Sequence, residues 1–445
     1  MWLYPREIFV RFTPDALTLG RASDCGVVLE GGLVSRVHAT VRPLGPLFVL
    51  RDEGSRNGTY QNGEAVREAP LVNGDIVRIG EWVGCVIELD EAVAASGAYF
   101  RSEEGGLLLG PRSQESWQRA ARVAESSAPI LIEGPTGTGK EVFARAIHAR
   151  SRRGGSFVAV NCAALPESLV ESHLFGHAKG SFTGATQSTE GLIGAAQRGT
   201  LLLDEIIDLP THQQAKLLRV LEESSVVRVG ETTPRPIDVR FVAACQEPLW
   251  KRIEKGSFRA DLLGRLAGFT LKLSPLRERR EEIPRLFLQA FAAAGGDAQR
   301  IKSSAIEALC LESWPLNVRQ LVHVARYAAT GMVPGAPITR SSLSEALGEA
   351  PPQLERQSES PPDEPAIIVS EAAAEPRSEE PDSAESRLGR RRMLWLRRQE
   401  EQLSQLLNAL KQSKGNVSMA ARSVGLSRSA ATRLLEAKAQ REGER

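Results

Sequence analysis

The stretch PILIEGPTGTGKEVFARAIHAR, Pro129 to Arg150, reads as a short apolar strand, a glycine-rich turn and a helix carrying apolar residues at helical spacing. Gly134, Gly137 and Gly139 let the backbone turn tightly, so that successive N–H groups and the start of the following helix point at one anion, while Lys140 adds a positive charge. A triphosphate is the natural occupant, with Pro135, Thr136 and Thr138 completing the turn. Where such loops carry Ser or Thr after the lysine to hold Mg²⁺, this chain has Glu141. Downstream, Gly199 to Glu205 reads GTLLLDE, an apolar strand ending in adjacent carboxylates. Asp204 is placed to hold Mg²⁺ directly or through water, and Glu205 to polarise an attacking water. Strand and helix patterns alternate around both segments, which predicts an α/β domain.

At 445 residues the chain is too long for one core, and length alone suggests about three domains. The formal charge of +1 excludes a global polyanion-binding surface, so nucleic-acid contact must come from a local basic segment. The five cysteines are scattered and never form a Cys-x-x-Cys pair, which argues against a disulfide framework or zinc site and for a reducing cytoplasm. The start, MWLYPREIFVRF, lacks the plan of a signal peptide, and no apolar run approaches a membrane span.

Residues 1–92 contain short β-rich runs, among them LTLG, HATVRPL, LFVLRD and DIVRIG, separated by turn residues, the pattern of an all-β sandwich. Across them lie Gly20-Arg21, Ser35-Arg36-Val37-His38, Ser55-Arg56-Asn57-Gly58-Thr59, Asn62-Gly63 and Asn73-Gly74-Asp75. Together these resemble a forkhead-associated (FHA) domain. The resemblance implies phosphothreonine binding by Arg21, Ser35 and Asn57, with Arg36 and Ser55 as auxiliary phosphate contacts and His38 as a scaffold residue.

After a linker over 93–108, the phosphate loop and GTLLLDE together resemble an AAA+ ATPase, with an α/β subdomain over 109–278 and an α-helical lid over 279–346. Between them FVAVNCAALPESLVESHLFGHAKGSFTGA, Phe157 to Ala185, resembles the bacterial enhancer-binding proteins that activate sigma-54 RNA polymerase. The resemblance implies that Gly180, Ser181, Phe182, Thr183, Gly184 and Ala185 form a pore loop touching the sigma factor. It implies also that Asn161 pairs with the catalytic glutamate and switches with nucleotide state, that Arg259 and Arg265 of FRADLLGRL reach a neighbouring subunit's nucleotide, and that Arg319 contacts phosphate from the lid. Where the family has Thr-Asn at its first sensor, this chain has Cys245-Gln246, whose longer amide changes the reach toward the γ-phosphate.

Residues 347–388 are rich in Pro, Glu, Ser and Ala, the composition of a disordered acidic tether. Polarity reverses at Arg387, and KGNVSMAARSVGLSRSAATRLLEAK follows, a helix-turn-helix pattern within an all-α segment over 389–445. It resembles Fis-like DNA-binding domains, which implies that Arg428, Ser429, Thr432 and Arg433 face the major groove. The whole order resembles a sigma-54-dependent activator whose cofactors are ATP and Mg²⁺. Its implied partners are sigma-54 RNA polymerase holoenzyme, upstream DNA, a phosphothreonine-bearing protein such as a Ser/Thr kinase, and copies of itself in a ring. A hexamer is expected there, with a heptamer left open. The alternative is a DNA-tethered phosphopeptide adaptor with little or no ATPase activity.

Overall fold

The computed structural model describes residues 1–45, 47–89, 100–103, 106–182, 185–333, 335–348 and 409–410. Nearly all of these belong to one compact unit, Met1–Arg42 with Phe48–Glu349. The tether and the helix-turn-helix residues Arg428, Ser429, Thr432 and Arg433 lie outside the described residues, as do Thr183 and Gly184.

The N-terminal residues form a β-sandwich of a six-stranded and a five-stranded sheet. Strand side chains alternate faces, and here the alternation sorts two cores. Leu3, Val77, Ile79 and Trp82 point into the sandwich with Leu19, Val41 and Leu50. Their neighbours Trp2, Ile76, Val83 and Cys85 point outward and join the core of the helical lid, packing with Phe287, Phe291, Ile306, Leu309 and Trp314. The FHA sheet is therefore apolar on both faces, and its outer face is covered by the lid.

In the segment expected as a linker, Arg101–Glu103 pairs antiparallel with Leu107–Leu109. The physical reason is the apolar triplet: Leu107 and Leu109 bury against Trp117 and Phe143 of the α/β core.

The α/β core is a five-stranded sheet in the order Phe157–Asn161, Thr200–Asp204, Arg240–Cys245, Ile130–Glu133, Phe269–Lys272, paired parallel throughout. A parallel sheet is covered on both faces, so its strands read as continuous apolar runs. Leu201, Leu203 and Ala243 bury against the helices Glu167–Phe175 and Thr211–Glu223, while Leu202, Val242 and Ala244 bury against Pro111–Ala124 and Lys140–Arg150. Carboxyl ends of such strands are where ligands bind in open α/β sheets, and the phosphate loop, Asp204 and Cys245-Gln246 all sit there.

Arg240 is fully buried at the opposite end. Its guanidinium donates to the carbonyls of Val123, Ala124, Ser126 and Ala128, closing the C-terminus of the helix Pro111–Ala124, where last-turn carbonyls lack partners. Arg240→Ala strands these buried acceptors and is expected to cost about 3 kcal/mol, read as a lower denaturant midpoint. Arg240→Lys should recover only part, because an ammonium cannot span the carbonyls as the guanidinium fork does. A midpoint unchanged in Arg240→Ala would contradict the capping role.

The lid helices are Ile283–Ala293, Ser303–Leu311, Asn317–Thr330 and Arg340–Gly348. No helix among the described residues is long and apolar enough to cross a membrane.

Candidate nucleotide and phosphopeptide sites

The loop Gly134–Gly139 joins the strand Ile130–Glu133 to the helix Lys140–Arg150. Gly137 has φ +76°, and a Cβ there would lie 2.1 Å from the Leu316 carbonyl of the lid, so both backbone conformation and space demand glycine. Gly139 caps the helix at φ +99°, aiming its first amides into the loop. Lys140 is 7% exposed and donates from Nζ to the Gly134 carbonyl at 3.0 Å, a bond that lies within the cradle an anion would fill. Thr138 Oγ1 donates to the Pro135 carbonyl at 2.8 Å.

Two lid side chains clamp the loop. Asn317 donates from Nδ2 to the Thr136 carbonyl at 2.8 Å while its Oδ1 accepts from Leu276 N at 2.8 Å. Arg279 donates to the Thr138 carbonyl at 2.8 Å. Arg319 lies beside the loop, its backbone N–H donating to the Gly137 carbonyl at 3.3 Å and its side chain exposed. Glu141, in the place of the usual hydroxyl, is exposed and paired with Arg145 at 2.7 Å. It presents no hydroxyl there, and Asp204, at the end of the strand Thr200–Asp204, is partly buried.

Glu205 follows Asp204 with φ +50°, a left-handed conformation uncommon outside glycine and worth noting at a functional site. Its Oε1 accepts from Gln246 Nε2 at 2.8 Å, and its Oε2 is buried without a partner. Burial raises the carboxyl pKa, opposed by the Gln246 hydrogen bond and the Lys140 charge. The expected pairing of Asn161 with this glutamate is not what this structure holds. Asn161 Oδ1 accepts from Ala163 N at 2.9 Å, capping the turn Cys162–Ala164, and the longer Gln246 takes the glutamate instead.

The pore-loop segment is closed at its base, Gly180 N donating to the Ala185 carbonyl at 2.8 Å and Ala185 N to the Phe182 carbonyl at 3.0 Å. Phe182 remains 41% exposed, its ring edge-on to His177 at 4.9 Å. Ser181 Oγ is buried without a partner. Arg259 and Arg265 lie at the two ends of the helix Ala260–Leu266, where they pair with Asp261 at 2.6 Å and Glu222 at 3.5 Å. A residue that sequence reasoning missed fixes the first of them. Gln214, fully buried, accepts from Arg259 N at 2.9 Å and donates to the Leu209 and Ser257 carbonyls.

In the sandwich, Arg21 N donates to the Ser35 carbonyl at 2.9 Å, which brings Arg21, Ser35 and Arg36 onto adjoining loops. Ser35 Oγ accepts from Arg56 N at 3.1 Å, leaving its own proton to donate. Buried His38 fixes this corner: its Nδ1 accepts from Ser35 N at 3.0 Å, so Nε2 carries the proton toward the Gly58 carbonyl at 3.2 Å. Asn57 Nδ2 donates to the Leu33 carbonyl at 2.8 Å. Ser55 differs from the expectation of a phosphate contact, because its hydroxyl donates to Asp52 at 2.6 Å and is engaged within its own loop.

These features define an AAA+ nucleotide-binding module carrying an FHA sandwich. Residues 109–272 match the Sigma-54 interaction domain, 17–80 the FHA domain and 277–360 the AAA+ ATPase lid domain. The DNA-binding transcriptional regulator NtrC of Salmonella typhimurium is 39% identical over 331 residues, covering 73% of this chain and 68% of that protein. Regulatory protein AtoC of Escherichia coli is 47% identical over 227 residues, 50% of this chain and 49% of that one. The crystal structure of NtrX from Brucella abortus aligns over 73% of this chain and 67% of its own, at 30% identity and a TM-score of 0.48. The chain belongs to the family of sigma-54-dependent transcriptional regulators that includes NtrC, with an FHA domain at its N-terminal end.

Proposed function

We propose that this chain hydrolyses ATP in a ring of its own copies, hexameric in the favoured reading, to remodel the closed complex of sigma-54 RNA polymerase. Phosphothreonine recognition by its FHA domain regulates it. The observation that carries the ATPase reading is the convergence, at the carboxyl ends of one parallel sheet, of a lid-clamped phosphate loop with Lys140, Asp204 and a Gln246-held Glu205.

In this mechanism the loop amides and Lys140 hold the triphosphate, and Glu205 orients and deprotonates the attacking water. Asp204 would hold Mg²⁺, which would supply charge neutralisation on the transferring phosphoryl group. Arg319 closes the site from the lid. Arg259 and Arg265, both exposed, supply positive charge to the site of the next subunit, for which they leave their present carboxylate partners. The exposed Phe182 delivers the resulting movement to the sigma factor. Arg21, Ser35 and Asn57 bind the phosphothreonine, and Arg428, Ser429, Thr432 and Arg433 bind upstream DNA. The setting is the cytoplasm.

Promoter opening by sigma-54 polymerase with ATP, followed beside ATP hydrolysis for the wild type and Phe182→Ala, tests this. The wild type should open the promoter, and Phe182→Ala should hydrolyse ATP without opening it. Equal opening by both removes the pore-loop role, and a wild type that neither hydrolyses nor opens leaves the phosphopeptide adaptor as the better account.

A further inference from the structure

Residues 278–282 of the run SPLRERREEIP are gripped from different directions. Arg279, 5% exposed, donates to the Thr138 carbonyl of the phosphate loop at 2.8 Å and to Glu282 Oε2 at 2.9 Å. Glu282 is fully buried and accepts from Gly110 N on its other oxygen at 2.8 Å. Arg280, the next residue, reaches the opposite way and donates to the Gly74 carbonyl of the FHA sandwich at 3.2 Å. Arg112 bonds both the Glu278 carbonyl and Asn73 Oδ1 beside that glycine.

The FHA turn that receives Arg280 is stiff. Asp75 accepts from Val72 N at 2.8 Å, Gln61 Nε2 at 2.6 Å and Asn62 Nδ2 at 2.8 Å, and Gly74 N donates to the Val86 carbonyl at 2.8 Å. The sandwich is in turn anchored on the lid helix Ser303–Leu311. Arg78 pairs with Glu307 at 2.7 Å, the glutamate side chain 2% exposed, and Ser303 Oγ donates to the Gly80 carbonyl at 3.0 Å. Glycine takes positive φ without strain and has many other conformations open to it, so a glycine-rich loop holds one conformation only where its surroundings fix it. Arg279 is one of the groups that do so here, and its neighbour in sequence is held by the FHA domain.

We infer that the FHA turn Val72–Asp75 sets the conformation of the phosphate loop through Arg280 and Arg279, so that the conformation of that turn and the affinity for nucleotide are linked. Arg279 and Arg280 are positioning residues in this linkage. The inference rests on the reading of Gly134–Lys140 as the nucleotide site, but its structural half does not. Linkage is reciprocal, so whatever shifts the FHA turn changes nucleotide affinity by the same factor that nucleotide changes binding there.

The test is amide hydrogen exchange across residues 134–140 of the full chain without nucleotide, together with affinity for a non-hydrolysable ATP analogue. It compares wild type, Arg280→Ala, Arg280→Lys, Arg279→Ala and the double variant. Arg280→Ala should speed exchange in the loop and weaken analogue binding by about 5-fold or more, the low end of allosteric couplings. Exchange in the FHA strands Leu17–Gly20 and Ile76–Ile79 should stay unchanged, and Arg280→Lys should recover part of the loss. In the Arg279→Ala background the second substitution should add nothing, because one path is already cut. Loop exchange identical to wild type in Arg280→Ala, or full additivity in the double variant, overturns the inference. A wild type that fails to bind the analogue sinks the nucleotide reading alone, since the exchange comparison still decides whether the FHA turn holds the loop.

Discussion

Glu205→Gln is expected to lower ATP turnover by about 10²-fold or more, the contribution of a positioned general base, while leaving nucleotide affinity close to that of the wild type. The substitution is nearly isosteric, and the new amide oxygen can still accept from Gln246 Nε2 as Glu205 Oε1 does at 2.8 Å. The buried Oε2 loses its charge and with it the capacity to take a proton from water. Binding is spared because Lys140, the loop amides and the lid clamps lie on other segments. Steady-state phosphate release and equilibrium binding on the same preparations decide the matter. Turnover within a few-fold of wild type would show that Glu205 is not the base.

The same carboxyl gives the reaction a pH signature. Burial raises its pKa, so the ionised form that can act as base is lost on acidification at a higher pH than for an exposed glutamate. Gln246 donates to that ionised form and holds the pKa down. Gln246→Ala should therefore move the acid limb of turnover to higher pH, and Gln246→Asn, one methylene shorter, should move it the same way by less. A limb that stays in place in Gln246→Ala would mean that the amide serves the fold and not the base.

Much of this site was legible in the sequence because its chemistry is local. Loop glycines, the lysine that follows them and a strand ending in two carboxylates sit within single segments, and Gly137 at φ +76° against the Leu316 carbonyl shows why no other residue would serve. The β-sandwich was legible by alternation, but that its outer residues Trp2, Ile76, Val83 and Cys85 belong to the lid core was not, since alternation does not say what covers a face. Cys245-Gln246 stood out as a departure from the family, yet only geometry shows the extra methylene carrying the amide to Glu205 in place of Asn161. Within the charged run 277–282, Arg277 and Glu278 are exposed while Arg279, Glu281 and Glu282 are buried. Those three bury because the FHA turn, the helix Pro111–Ala124 and the phosphate loop converge on them, and no local pattern encodes that convergence.

Glu281, in the middle of that run, should make the fold weaker as pH rises from 4.5 through about 7. It is fully buried, neither carboxyl oxygen has a hydrogen-bond partner, and desolvation pushes its pKa from the ordinary 4.5 to about 7. Arg112, 4.0 Å away on the helix Pro111–Ala124, and Arg279 pull the other way, while Glu282 adds to the rise. Facing it from the FHA strand Trp82–Cys85 and the lid helix Ser303–Leu311 are Cys85 and Cys310, both thiols raised by burial. A carboxyl with a raised pKa binds its proton more tightly in the folded chain, so its stability contribution is complete below 4.5 and is lost as pH climbs through about 7. Carrying the charge above that range costs about 3 kcal/mol. Glu281→Gln keeps the shape of the protonated acid and cannot ionise, so it should match wild type near pH 4 and exceed it by up to about 3 kcal/mol at pH 8. Denaturant unfolding of both chains at the two pH values isolates this residue, since every other titrating group is common to them. A difference between the chains that does not change with pH would show that Glu281 is already ionised in the fold, with Arg112 supplying at 4.0 Å the compensation that burial removes.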